Sequence, residues 1–243
     1  MPNYKLTIAY DGTQYKGWQY QPDQPTVQGT ITKALQVITK KKPKLYGAGR
    51  TDAGVHALGQ VANFKAKVNI PPDSMKKALN SILPPDIRIM DCEIVPEDFN
   101  ARYNAKGKLY EYRIFTGEVV PPFIHRYVLH FPYPLDFNAM KEAAKYFVGE
   151  KDFSAFTTED SPKLMVREIL LSEIEKQGEF IYYRIRGRGF LKYMVRIIVG
   201  TLLEVGKGKI PPEKIEEIFE SKDPKNAGPT APPHGLFLMK VDY

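Results

Sequence analysis

The chain has 243 residues, of which 43% are hydrophobic and 26% are charged. These values are ordinary for a soluble globular protein with one large domain or two small ones. Lysine and arginine total 35 against 28 aspartate and glutamate, and the net charge of +7 favours a polyanionic partner without identifying one.

Several other classes are excluded by composition. Cys92 is the single cysteine, so an intrachain disulfide scaffold or a thiolate metal site is excluded, and the four histidines lack metal-ligand spacing. The N-terminal run MPNYKLTIAYDG begins with a strand pattern rather than a signal peptide. No apolar run approaches a membrane span, so we expect a cytoplasmic protein without a membrane partner.

The first part of the chain predicts strand, helix, strand, helix and strand, in the runs KLTIAYDG, TVQGTITKALQVITKKK, VHALGQVANF, PPDSMKKALNSILP and IRIMDCEIVP. Thr26 is expected to cap the first helix, because a threonine oxygen can accept from the first free amides. A loop before that helix carries Tyr15, Trp18 and Tyr20. These aromatics suit either nucleotide contact or closure of a core.

Residues 47–64, GAGRTDAGVHALGQVANF, predict a tight glycine-rich turn that leads into a strand. The turn places Arg50, Thr51 and Asp52 between glycines. A carboxylate on a rigid turn beside a guanidinium is suited to contacting a ligand, but Asp52 could equally stabilise the turn by accepting from backbone amides. Neither the dinucleotide-binding pattern nor the Walker pattern is present.

The second part predicts strand, helix, two strands, two helices and a strand, in the runs LYEYRIF, DFNAMKEAAKYFVGE, VREILLSEIEKQ, FIYYRIRGRG, FLKYMVRIIVGTLLEVGKG, PPEKIEEIFES and LFLMKVDY. Asp136 is expected to cap the first of these helices. Residues 106–108 predict a flexible basic link, and KDFSAFTTEDSPKLM, residues 151–165, predicts a polar, mobile connection.

Both parts share the split strand–helix–strand order of ferredoxin-like units. We therefore predict an α+β fold of two related halves, residues 1–104 and 105–243, with helices packed on one face of a mostly antiparallel sheet.

Six blocks of the chain, in order, resemble the TruA family of tRNA pseudouridine synthases: YDGTQYKGWQYQ (10–21), TVQG (26–29), GRTDAGVHALGQVANF (49–64), FNARYNAKGKLYEYRI (99–114), FLKYMVRIIVG (190–200) and TAPPHGLFL (230–238). The resemblance spans nearly the whole chain. It implies two RRM-like halves that form one continuous sheet, with an active-site cleft between them.

The resemblance also implies the reaction, isomerisation of uridine to pseudouridine at positions 38, 39 and 40 of the tRNA anticodon arm. This reaction requires neither a redox change nor a group donor, so no cofactor and no metal is expected. The family's catalytic carboxylate, the nucleophile or base, matches Asp52, and whether it attacks the sugar or the base stays open. Arg50 matches a residue that contacts RNA and helps to flip the target base.

Three residues of the second part match the family's remaining site positions. Tyr110 matches a tyrosine that stacks on the uracil, although cross-strand packing beside Tyr112 would also explain it. Leu236 matches the apolar residue on the other uracil face, and taken alone it would be core. Arg196 matches a cation that keeps the carboxylate ionised. The sequence supports it independently, since it lies on an apolar helix where its head needs a partner, unless it snorkels to solvent.

The resemblance implies two partners, the tRNA and a second copy of the chain in a homodimer. The alternative is a non-catalytic RNA-binding module, since RGFLKYMV partly resembles an RNP1 strand. Leu191 and Lys192, however, stand where that motif has a small residue and an aromatic one. A scaffolding protein is a third reading, and it would not need the GRTDAG turn.

Overall fold

A computed structural model of the chain describes residues 1–158 and 165–243. These residues form two compact units, Met1–Lys106 together with Phe237–Tyr243, and Gly107–Leu236. Strands and helices are mixed in both, and most strand pairs are antiparallel, so the predicted α+β class is confirmed. Within the described ranges, no helix is long and apolar enough to cross a membrane.

The strands are β1 Asn3–Tyr10, β2 Leu45–Gly47, β3 His56–Lys65, β4 Ile87–Val95, β5 Gly107–Phe115, β6 Leu129–His130, β7 Gly149–Asp152, β8 Val166–Gln177, β9 Phe180–Gly187 and β10 Leu236–Asp242. The α-helices are α1 Val27–Thr39, α2 Pro72–Ile82, α3 Phe137–Lys145, α4 Met194–Gly206 and α5 Lys214–Ser221. Short 3₁₀ helices cover Ser154–Phe156, Pro224–Asn226 and Pro233–Gly235.

The first unit has the ferredoxin-like strand order β4-β1-β3-β2, with all of these pairs antiparallel. Besides β1, strand β3 pairs with two further strands. Its far end pairs with β2, where Leu45 lies opposite Phe64. Its near end pairs in parallel with β10, where Phe237 lies opposite His56. Strand β3 is buried along most of both faces, which fits a strand at the centre of the unit.

The first helix forms as predicted. The Thr26 hydroxyl accepts from the Gly29 amide, and the apolar face of α1 is buried at Val27, Ile31 and Leu35. Helix α1 contacts α2, which in turn contacts β4. These contacts place both helices over the sheet.

The aromatic loop before α1 divides between the two predicted roles. Trp18 is 1% exposed and Tyr15 is 7% exposed, whereas Tyr20 is 51% exposed. Trp18 and Tyr15 therefore close the core, and nucleotide contact stays open only for Tyr20.

The second unit contains the antiparallel order β5-β9-β8-β7, with β6 parallel to β5. Asp136 caps α3 as predicted, accepting from the Ala139 amide. Helix α3 contacts both α4 and β8. In chain order β5, α3, β8, β9 and α4 follow the ferredoxin-like pattern, with β7 as an added edge strand.

The grouping of residues differs from the predicted boundaries at the last strand. Residues 237–243 belong with Met1–Lys106 rather than with Gly107–Leu236. The physical reason is the parallel pairing of β10 with β3, together with a hydrogen bond from the Lys106 amide to the Asp242 carbonyl (2.8 Å).

Three local predictions are corrected. The basic link at residues 106–108 is not flexible, because Gly107 and Lys108 begin β5. The long helix predicted from Phe190 begins only at Met194, because Tyr193 has a left-handed backbone (φ 60°) that an α-helix cannot include. Helix α5 begins at Lys214, after its prolines rather than on them. Within the predicted polar connection, residues 159–164 lie outside the described residues.

Candidate active site

The GRTDAG turn lies between β2 and β3 and is held from several sides. The Trp18 amide donates to the Thr51 carbonyl (3.1 Å), and the buried Gln60 donates through Nε2 to the Gly49 carbonyl (3.0 Å). A Cβ at Gly17 would lie 2.5 Å from the Thr51 oxygen, so only glycine fits there. Gly54 has a positive φ of 77°, which a glycine adopts without strain.

Thr51 points into the unit and is fixed by a tyrosine. Its hydroxyl shares a hydrogen bond of 2.7 Å with the Tyr10 hydroxyl, and both groups are buried. Burial raises the pKa of Tyr10 above its ordinary value, so the hydroxyl stays protonated at neutral pH. The turn therefore has a set of bonds that does not depend on the Asp52 carboxylate. Asp52 is half-buried and Arg50 is exposed.

His56, which begins β3 just after the turn, is a supporting residue that the sequence did not reveal. It is 1% exposed, and its Nδ1 accepts from the Gly12 amide (3.0 Å) and lies 3.1 Å from Asp11 Oδ1. Its ring stacks on Phe237 of β10 at 4.8 Å. The start of the motif strand is thus fixed by the loop after β1 and by the last strand.

Tyr110 lies in β5, opposite Ile185 of β9, and is 6% exposed. Its ring meets the edge of Phe190 at a centroid distance of 5.1 Å and an interplanar angle of 83°. This T-shaped contact fixes the plane of the tyrosine ring. Phe190 belongs to the FLKYMVRIIVG block, so two of the resembling blocks meet at this ring.

Arg196 lies in the first turn of α4 and is half-buried. Its Nε donates to the Ala231 carbonyl (2.7 Å), and its own carbonyl accepts from the Ala231 amide (3.0 Å). The guanidinium also lies 5.0 Å from the centre of the Tyr193 ring, a cation–π distance. The side chain is therefore held by protein groups, as expected for an arginine on an apolar helix, rather than reaching out to solvent.

Leu236 is 5% exposed and directly follows the turn Pro233–Gly235. That turn packs on Tyr112, whose hydroxyl donates to the Pro232 carbonyl (2.8 Å). A Cβ at Gly235 would lie 2.8 Å from the Tyr112 ring. Burial raises the pKa of Tyr112, which keeps this hydroxyl a donor. Tyr112 therefore positions the segment that ends in Leu236.

The structure thus places the predicted residues in two groups. Arg50 and Asp52 lie on one turn of the first unit, and Tyr110, Arg196 and Leu236 lie in the second unit. Sequence analysis did not indicate the residues that hold these side chains or their turn in place, namely Tyr10, Gln60, Phe190 and the backbone of Ala231. Among residues 1–158 and 165–243, no group of three or more His, Cys, Asp and Glu side chains could hold a metal ion.

Comparison with known proteins matches the chain to the tRNA pseudouridine synthase family model over residues 6–104 and 143–243. Curated relatives named tRNA pseudouridine synthase A are similar over the full length of both chains. One from Caldicellulosiruptor bescii is 48% identical over 244 residues, and one from Acetivibrio thermocellus is 49% identical over 244 residues, with 100% of each chain covered. The turn, its supports and these full-length matches agree, and the chain belongs to the tRNA pseudouridine synthase family.

Proposed function

We propose that this chain isomerises uridine to pseudouridine at positions 38, 39 and 40 of the tRNA anticodon stem-loop, with Asp52 as the catalytic carboxylate. Membership of the family makes the chain an isomerase that acts on uridine in tRNA. The observation that carries the residue assignment is the GRTDAG turn, which is pinned by Trp18, Gln60 and Tyr10 while Asp52 stays half-buried on it. The cytoplasm, where tRNA is used, is the proposed location.

The reaction balances without any added reagent. The bond between N1 of uracil and C1′ of the sugar breaks, the base turns, and C5 bonds to C1′. The proton on C5 leaves and N1 gains a proton, so nothing is oxidised or reduced. Asp52 supplies the carboxylate that attacks either C1′ or the base ring, and the covalent bond it forms is broken again before product leaves.

Each of the other residues has a separate proposed role. Tyr110 stacks on the target uracil with a ring already fixed by Phe190, and Leu236 packs on the opposite face of the base. Arg196 favours the ionised form of the catalytic carboxylate, because a nearby cation lowers the cost of a buried negative charge. Arg50, which is exposed, contacts the RNA and helps the target nucleotide leave the stack.

The direct test is isomerisation of an unmodified tRNA transcript that carries tritium on C5 of its uridines. Loss of the C5 proton releases tritium to water in proportion to turnover. Transcripts in which positions 38, 39 and 40 are changed singly to cytidine locate the target. A non-catalytic RNA-binding module would bind the same transcript without releasing tritium, and that result would reject the proposal.

Binding is expected to depend steeply on salt. If lysines and arginines contact four or more phosphates, affinity for tRNA should fall about 100-fold between 50 and 200 mM salt, and log Kd should change linearly with log salt concentration. Filter binding at several salt concentrations measures the slope. A flat response would mean that the net charge of +7 is not used to bind the RNA backbone.

A homodimer in which both subunits hold one tRNA is the proposed working unit, and twofold pairing is also the commonest oligomer. Light scattering at low micromolar concentration is expected to give twice the 27.7 kDa chain mass. Mixing Asp52→Asn subunits with subunits that lack basic tRNA contacts should restore activity at one site. A chain that is monomeric while fully active would contradict the dimer and leave the chemistry unaffected.

A further inference from the structure

The FNARYNAKG block contains a feature that the proposed chemistry does not use. Tyr103 is 80% exposed, and the adjacent Arg102 is also exposed. The guanidinium carbon of Arg102 lies 5.8 Å from the centre of the Tyr103 ring. A single exposed tyrosine needs no explanation. A tyrosine that is paired with a cation on an immobilised backbone does need an explanation. Its side chain has lost conformational freedom although it is not buried.

The turn that carries this pair, residues 100–104, is closed by its own side chains. Asn100 Oδ1 accepts from the amides of Arg102 (2.9 Å) and Tyr103 (3.3 Å). Asn104 Oδ1 accepts from the Asn100 amide (2.7 Å), and the Asn104 amide donates to the Asn100 carbonyl (3.0 Å). The backbone under Tyr103 is therefore fixed by four hydrogen bonds.

Buried amides anchor this turn to the sheet of the first unit. Asn63, the asparagine of the motif strand β3, is 2% exposed. Its Oδ1 accepts from the Ala101 amide (2.8 Å), and its Nδ2 lies in donating range of Asn3 Oδ1 (2.9 Å) and the Phe99 carbonyl (3.2 Å). The Tyr243 hydroxyl donates to the Ala101 carbonyl (2.8 Å). Burying an asparagine is costly unless its side-chain amide is fully hydrogen-bonded. The bonds of Asn63 therefore fix the position of this turn on the sheet.

The charge around the turn suits a polyanion. Arg102 and Lys106 are both exposed. The preceding segment carries two exposed carboxylates, Asp98 and Glu97. Glu97 lies near the N-terminal amine (3.5 Å) and Lys65 Nζ (3.8 Å). The charge of Glu97 is thus offset by two cations, and Asp98 is outnumbered by Arg102 and Lys106.

We propose that Tyr103 stacks on an unpaired base of the tRNA substrate while Arg102 binds a neighbouring phosphate. The inference rests on the proposed function only in taking tRNA as the substrate. An immobilised tyrosine offers a flat face at little entropic cost, and unpaired bases bind to such faces in RNA-binding proteins. The guanidinium beside it supplies the phosphate contact that an apolar or protein partner would not need.

The test compares the dissociation constants of variants for an unmodified tRNA transcript at fixed salt. Tyr103→Ala and Tyr103→Leu should each weaken binding by about 5- to 140-fold, the range for one stacked base. Tyr103→Phe should bind as the parent chain does. Tyr133→Ala is the matched control, since Tyr133 is also exposed (67%) but lies on the second unit, and it should change nothing. Binding by Tyr103→Ala equal to that of the parent would overturn the proposal, as would full binding by Tyr103→Leu.

Two further readouts separate stacking from a structural role. In Tyr103→Trp the new indole should be quenched by added tRNA, while Trp18, which is 1% exposed, contributes a constant signal. Arg102→Gln should reduce the slope of log Kd against log salt concentration by about 1, because one phosphate contact is lost. Tyr103→Ala should leave the slope unchanged. An unquenched indole, or an unchanged slope in Arg102→Gln, counts against the assignment.

Failure of this proposal is distinguishable from failure of the proposed function. If the parent chain releases tritium from tRNA and Tyr103→Ala has parental Kd and KM, only the stacking role is rejected. If the parent binds tRNA without releasing tritium, the isomerase proposal fails. The stacking role of Tyr103 is then still tested by the Kd of the Tyr103 variants for tRNA. If the parent does not bind tRNA, both are rejected.

Discussion

Asp52→Asn is expected to lower pseudouridine formation by at least about 10³-fold, a loss typical of removing an essential nucleophile. Asparagine keeps the size and shape of the side chain but can neither form the covalent bond nor accept the proton. The turn should survive, because Trp18, Gln60 and Tyr10 hold it. Tritium release should therefore be lost while tRNA affinity and thermal stability stay at their parental values.

Asp91→Asn is the matched control for this loss. Asp91 is an exposed carboxylate on β4 of the same unit, so removing its charge changes the net charge of the chain equally. It should leave turnover unchanged. Near-parental turnover by Asp52→Asn would show that the catalytic carboxylate is another residue.

Tyr110 variants should separate the ring from its hydroxyl. Tyr110→Phe keeps the ring and its edge contact with Phe190, so it should hold the base and lose only what the hydroxyl contributes to proton transfer. Tyr110→Ala should lose both functions, and turnover should fall by about 10²-fold or more. Because Tyr110 is 6% exposed, the alanine variant should also lose about 3–5 kcal/mol of stability, so activity is measured well below its unfolding temperature.

Tyr183→Phe provides the control for a buried tyrosine of the same unit. Tyr183 is 1% exposed and its hydroxyl forms a hydrogen bond with Ser172 (2.9 Å). The variant should therefore lose about 1 kcal/mol of stability but keep the activity of the parent chain. If Tyr110→Ala turned over tRNA as fast as the parent chain, the stacking role would be rejected.

Most of the elements could be predicted because their signals are local. The caps Thr26 and Asp136 and the alternation in β3 are read from neighbouring residues. Short strands were missed because two to four residues, as in β2, β6 and β7, carry no periodicity. The start of α4 was misplaced because the apolar pattern continues through Phe190 and Leu191. The left-handed backbone of Tyr193 prevents the helix from extending back to Phe190. A tyrosine gives no sequence signal for this conformation.

The candidate site also has a part that local sequence predicts and a part that it does not. The glycine-rich turn could be predicted from residues 47–64 alone, whereas the proposed role of Asp52 depends on the resemblance of all six blocks. The partners that hold the site residues could not be predicted, because they are distant in sequence: Tyr10 lies 41 residues from Thr51, and Ala231 lies 35 residues from Arg196. The Ala231 contact is made by a backbone carbonyl, which every residue type possesses, so no side-chain pattern could indicate it.

The pairing of β10 with β3 has a consequence for synthesis on the ribosome. Residues 1–106 emerge first, but the strand that pairs beside His56 is translated only after the whole second unit, on the order of ten seconds later at usual elongation rates. During that interval one side of the near end of β3, next to the GRTDAG turn, is an unpaired edge, and unpaired edges invite pairing with other chains. The nascent first half should therefore be the stage at which this enzyme depends most on chaperones.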